Sequence, residues 1–86
     1  MKKTYTIKDE VGLHARPVAL LSKAASQFKN DIFIEYKGKK VTLKSILMVM
    51  SLGVPHKHEI TIEVLGEDQE RVHEAIESVL KEHNVI

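Results

Sequence analysis

Alternating apolar and polar residues predict four short strands, because successive side chains of a strand point to opposite faces. These segments are Thr4–Lys8, the two halves of Asp31–Ser45, and 58–66. Lys37 and Gly38 interrupt the middle segment, which predicts a tight hairpin between its two strands. The chain therefore contains a sheet whose strands are scattered along its length.

The remaining apolar residues recur every three or four positions, the spacing of amphipathic helices. One helix is predicted from Pro17 to about Asn30, and a short one over Ser45–Leu52, closed by Gly53. A third follows Asp68, a residue suited to the N-cap position. Its apolar stripe consists of Val72, Ala75, Ile76, Val79 and Leu80. The order β-α-β-β-α-β-α indicates an α+β fold with helices packed on one face of an antiparallel sheet.

Length and composition restrict the class of protein. A chain of 86 residues is expected to form a single domain over 1–86, with its function on the surface. Thirteen basic and twelve acidic residues give a net charge of +1, which provides no electrostatic case for nucleic acid. The absence of cysteine excludes disulfides and thiolate metal sites. No apolar run is long enough for membrane insertion and no signal segment is visible, so we expect a cytoplasmic protein.

The sequence GLHARP places His14 where the first helix begins. Unpaired amides and the positive end of the helix dipole make the start of a helix an anion-binding site. Pro17 suits the first turn, because a residue there needs no N–H group for helical bonding. Arg16 can hold phosphate oxygens, and a neutral imidazole can attack a phosphoryl group. Positive surroundings would favour the uncharged, nucleophilic ring of His14. The alternative is a histidine that merely caps the helix or packs at its start.

GLHARP and the later LKSILMVMSLG, about thirty residues apart, together resemble HPr, the histidine-containing phosphocarrier family of the bacterial sugar phosphotransferase system. The resemblance covers essentially the whole chain. It implies an open-faced β-sandwich in which three helices pack on a four-stranded antiparallel sheet.

The resemblance also implies a phosphoryl carrier rather than an enzyme. His14 would accept a phosphoryl group on its δ nitrogen from enzyme I, originating in phosphoenolpyruvate, and donate it to the A domains of sugar permeases. Arg16 and the backbone amides of Ala15 and Arg16 would hold the phosphate. We expect a monomer with no cofactor and no metal. A catabolite-repression paralogue of the family lacks this histidine, so its presence here favours the carrier.

Ser45 precedes the short apolar helix and is predicted to cap it, accepting a hydrogen bond from the amide of Leu47 or Met48. In Gram-positive HPr proteins the serine of LKSI is the target of HPr kinase/phosphorylase. The modified form joins catabolite control protein A in repressing genes. The resemblance therefore implies that Ser45 is also a regulatory phosphorylation site.

The short helix has too many apolar residues for all of them to reach the core, so some are predicted to form a docking surface. For Ile46 and Val49 the alternative, a role only in the core, is a fair one. The predicted docking residues are Leu47 and Met50, Leu20 on the first helix, and a basic rim of Arg16, Lys23 and Lys44.

Two segments depart from the family pattern. Met48 stands where related sequences carry glycine, which predicts a bulkier docking surface. The connection GVPHKHE lacks a glycine common before the fourth strand, and in the family this loop approaches the active histidine. His56 and His58 could form a weak metal pair, although solvated loop residues are the better interpretation. His73 and His83 are expected to face solvent.

Three other interpretations stay open. A phosphocarrier of the nitrogen-related branch would use His14 in the same way, although the LKSI context argues against it. A ferredoxin-like module for metal or RNA is disfavoured by the lack of cysteine and the few aromatic residues. A small phosphatase would need a second catalytic group that no recognisable spacing supplies.

Overall fold

Four strands form one antiparallel sheet in the computed structural model, which describes residues 1–86. They are β1 (Lys2–Thr6), β2 (Ile32–Tyr36), β3 (Lys39–Thr42) and β4 (Glu59–Val64). The order across the sheet is β1-β4-β2-β3, so that the last strand of the chain lies between the first two. Every neighbouring pair is antiparallel.

Three helices cover one face of this sheet: α1 (Ala15–Ser26), α2 (Ile46–Met50) and α3 (Gln69–Glu82). The predicted element order and α+β class are confirmed. Helix α1 contacts both α2 and α3. None of the three combines the length and apolar character needed to cross a membrane.

The core lies between the helices and the sheet, and the alternation of residues in β4 shows why. Ile60, Ile62 and Val64 are almost completely buried, while the residues between them turn to the open face. There Thr4 and Thr61 pair through their hydroxyls at 3.1 Å, and Lys40 forms an ion pair with Glu63. The period-two pattern therefore separates a buried face from a polar one.

Three boundaries differ from the predicted ones. Strand β1 ends at Thr6, yet Ile7 is buried, and its amide donates to the carbonyl of His58 at 2.9 Å. Helix α1 starts two residues before Pro17 and ends at Ser26. Helix α2 is shorter than predicted at both ends, because Ser45 is its N-cap and Ser51 its C-cap.

At α3 the N-cap position of Asp68 is confirmed, but its expected capping geometry and the expected exposure of His73 were wrong. Asp68 occupies the N-cap position, but its φ of 52° is left-handed and its side chain makes no capping bond. An N-cap residue normally has an extended backbone, from which its side chain reaches the free amides. His73, expected in solvent, is fully buried, and its Nε2 donates to the carbonyl of Met1 at 2.8 Å. His83, by contrast, is exposed.

Gly12 brings two distant loops into contact beneath the start of α1. The amide of Leu13 donates to the carbonyl of Val54 at 2.9 Å. A Cβ atom on Gly12 would lie 2.6 Å from that carbonyl oxygen and 3.0 Å from the Cα of Pro55. Its φ of 80° is also one that side chains rarely adopt. Only glycine fits both the backbone angle and the space.

We expect Gly12→Ala to destabilise the protein by about 2–4 kcal/mol, since it adds an overpacked contact to a strained backbone angle. Gly38→Ala is the matched control. Gly38 has a φ of 79°, and a Cβ atom on it would meet no other atom within 4 Å, so only the backbone cost of about 1 kcal/mol remains. Urea denaturation measures both; equal losses would contradict the role of the loop contact.

Candidate functional site

His14 is the N-cap residue of α1. Its backbone is extended, with φ −102° and ψ 177°, but its side chain makes no capping hydrogen bond. The imidazole is 35% exposed. The simple capping role is therefore absent, and the ring stands partly open to solvent.

The first turn of α1 presents two unpaired amides. The first helical bond runs from the amide of Val18 to the carbonyl of His14 at 3.2 Å. Pro17 has no N–H, so within the first turn the free backbone donors are those of Ala15 and Arg16. With the helix dipole behind them, these two amides form an anion-binding position directly after the histidine.

Charges of both signs surround the imidazole. The expectation of positive surroundings was therefore wrong. His14 and the exposed Arg16 line an open hollow with Asp9 and Glu82, and the end of α3 completes it. The guanidinium and the two amides attract an anion. The two carboxylates oppose it.

Asp9 is the residue that sequence reasoning missed. Its Oδ1 accepts a hydrogen bond from the amide of Val11 at 2.9 Å, and its Oδ2 lies 3.1 Å from Nε2 of His14. The Val11 amide, and then the hydrogen bond with His14, hold the pKa of the Asp9 carboxyl below its usual value. The local turn is typical of aspartate, but nothing in the sequence spacing points to the histidine.

The loop after α2 approaches the site, as the family resemblance implied. His56 Nδ1 lies 3.0 Å from the carbonyl oxygen of Asp9, and a carbonyl only accepts, so the imidazole donates. His58 lies elsewhere, with its Nδ1 2.5 Å from the hydroxyl of Tyr36. The two histidines are therefore bonded to different partners. No group of three or more metal-ligating side chains is found.

Ser45 is the N-cap residue of α2. Its hydroxyl accepts a hydrogen bond from the amide of Met48 at 3.2 Å, which confirms the predicted cap. The residue is half-buried and the apolar helix that follows it is largely exposed. A group added to this oxygen would therefore lie at the edge of an apolar surface.

The exposed apolar residues of α2 form what we call the α2 surface: Ile46, Leu47, Met48 and Met50. Leu47 is 80% exposed, the others between 36% and 46%, and Val49 is buried. The core role considered for Val49 is confirmed. The core role considered for Ile46 was wrong, because Val49 takes the single buried position of this short helix. Exposed Met48 does enlarge the surface.

The predicted partner residues Leu20 and Lys23 belong to α1, and this helix contacts α2. Leu20 is half-buried and Lys23 is exposed. Lys44, expected in the basic rim, instead donates its ammonium to the carbonyl of Phe28 at 2.8 Å. That contact places the charge near the C-terminal end of α1, where a cation is favourable.

A family model described as "PTS HPr component phosphorylation site" matches residues 1–82. The histidine-containing phosphocarrier protein of a Mycoplasma has a similar structure, with 38% identity and a TM-score of 0.96. It covers 100% of this chain and 98% of its own.

Two further solved structures are similar. The phosphocarrier protein HPr of Bacillus anthracis is 40% identical, with a TM-score of 0.83 and coverage of 92% of this chain and 94% of its own. The Bacillus subtilis catabolite repression protein Crh, crystallised as a swapped dimer, is 38% identical with a TM-score of 0.74. It covers 91% of this chain and 90% of its own. On the family match over nearly its whole length and these structural likenesses, the chain belongs to the HPr phosphocarrier family of the phosphotransferase system.

Proposed function

We propose that His14 accepts a phosphoryl group on Nδ1 from enzyme I and donates it to the A domains of sugar permeases. The observation that carries this proposal is the position of the imidazole: it is open to solvent and directly precedes two free amides. An anion held there lies beside a nucleophilic ring. The guanidinium of Arg16 can take a further phosphate oxygen.

The direct test mixes the protein with phosphoenolpyruvate and a bacterial enzyme I and records its intact mass. We expect one acid-labile phosphoryl group on the wild type and none on His14→Ala. A folded wild-type protein that gains nothing from an active enzyme I would overturn the proposal. Transfer onward to a sugar-specific A domain distinguishes the sugar carrier from one of the nitrogen-related branch.

The α2 surface is proposed as the docking site for these partners, with Leu20 and the cations Arg16 and Lys23 beside it. Exposed leucine and methionine side chains adapt to differently shaped partners, and a basic border attracts acidic ones. The ammonium of Lys44 is bonded to α1, so we give it a smaller part.

We expect Leu47→Ala to raise the KM of enzyme I for this protein about tenfold, because the side chain is 80% exposed and available to a partner. Stability should change by less than about 0.5 kcal/mol, as for other exposed positions. Leu65→Ala is the matched control, since Leu65 is 40% exposed but lies at the end of β4. A KM affected equally by both changes would remove α2 from the docking site.

Ser45 is proposed as a regulatory site, phosphorylated by HPr kinase/phosphorylase and then recognised by catabolite control protein A. A phosphate on its oxygen adds about −1.5 to −2 charge at a helix N-terminus, where the dipole tolerates it. The same charge would border the α2 surface and oppose the docking of acidic partners.

We expect Ser45→Asp to keep its fold but to accept phosphate from enzyme I several-fold more slowly than the wild type. Ser45→Ala distinguishes the effect of added charge from the effect of a lost cap. It loses the hydrogen bond from the amide of Met48, which lowers stability by about 1 kcal/mol, but adds no charge. Urea denaturation and initial transfer rates are measured on all three proteins. A wild-type rate for Ser45→Asp would contradict this regulation.

The cytoplasmic location and the monomeric state stay predictions. Crh of Bacillus subtilis and an HPr of Thermoanaerobacter tengcongensis have been described as dimers. Sedimentation of this protein at the concentrations used for transfer decides its own state.

A further inference from the structure

The carboxylate of Asp9 touches the ring nitrogen of His14 that the proposed phosphoryl transfer does not use. Oδ2 lies 3.1 Å from Nε2, and the Asp9 side chain is only 21% exposed. A carboxylate only accepts hydrogen bonds, so Nε2 must carry the proton. In the neutral ring, Nδ1 then holds a free electron pair.

Two contacts hold Asp9 in this orientation. The amide of Val11 donates to Oδ1 at 2.9 Å and leaves Oδ2 for the histidine. His56 donates to the backbone carbonyl of Asp9 at 3.0 Å and ties this turn to the loop after α2. The carboxylate is therefore fixed at both the side chain and the backbone.

We propose that Asp9 is a positioning residue for phosphoryl transfer, which keeps the proton of His14 on Nε2 and so presents Nδ1 as the acceptor, with His56 anchoring its turn. This inference rests on the proposed function of His14. It goes further by naming a residue that selects one ring nitrogen over the other.

The bonds and protons balance in both directions. The electron pair of Nδ1 forms the N–P bond while the bond from phosphorus to the donor breaks, and its electron pair leaves with the donor. The ring, still protonated on Nε2, becomes positively charged and faces the Asp9 carboxylate. When an acceptor takes the phosphoryl group, the N–P electron pair returns to Nδ1 and the ring is neutral again. No proton leaves Nε2 at any stage.

The first measurement does not depend on any partner. Nitrogen NMR of the His14 ring, at about pH 9 where imidazoles are uncharged, reports which nitrogen carries the proton. We expect the wild type to be protonated on Nε2 and Asp9→Ala to show a clearly larger share of the Nδ1–H form. Asp9→Asn should resemble the wild type, because an amide oxygen also accepts from Nε2. Glu10→Ala is the matched control, since it removes one exposed carboxylate from the same turn.

The second measurement is the transfer rate from enzyme I. We expect kcat to fall about tenfold in Asp9→Ala and about threefold in Asp9→Asn, which keeps the acceptor but loses the charge opposite the phosphorylated ring. The KM for this protein should not change, because Asp9 lies outside the α2 surface. The rates are compared from pH 6 to 9. All variants keep the other charged or titratable groups around the ring, which are Arg16, Glu82, His83 and His56.

The outcomes separate this inference from the proposed function. A wild type that takes up no phosphate from enzyme I contradicts the carrier proposal, while the NMR result still judges the role of Asp9. Unchanged tautomer and unchanged kcat in a folded Asp9→Ala overturn the positioning role. Equal losses of kcat in the Ala and Asn variants, with equal losses of stability, assign Asp9 a structural role only.

Discussion

The contact between the turn before α1 and the loop after α2 determines where His14 lies. Leu13 donates to Val54 across more than forty residues of chain, and Gly12 leaves the space that this approach requires. The start of α1 is therefore set by tertiary packing as well as by the helical preference of its own residues. His56 belongs to the same loop and bonds to the carbonyl of Asp9, so this loop contacts both the helix start and the turn that carries Asp9.

The elements of the fold were predictable because each has a clear period. Ile60, Ile62 and Val64 are buried as their alternation requires, and the stripe of α3 packs inward around Ile76. The positions of His14 and Ser45 at two helix starts also followed from local signals. These are properties of residues close together in the chain.

Long-range contacts were not predictable in the same way. The side chain of His73 is buried where α3 meets the first residue of the chain, and its partner is the carbonyl of Met1. Asp9 and His56 meet only because the sheet brings two loops together. Ile46 is exposed because Val49 takes the one buried position of a short helix. A period along one segment carries no information about such partners.

The open setting of His14 has a consequence for the chemistry of a carrier. The ring is partly exposed at the surface and lines an open hollow. Water can reach a group bound there, and the reacting atoms cannot be enclosed by this chain alone. Each partner must therefore bring the missing half of the reaction chamber. Partners of different shape can then share one small protein, provided that each supplies its own lid.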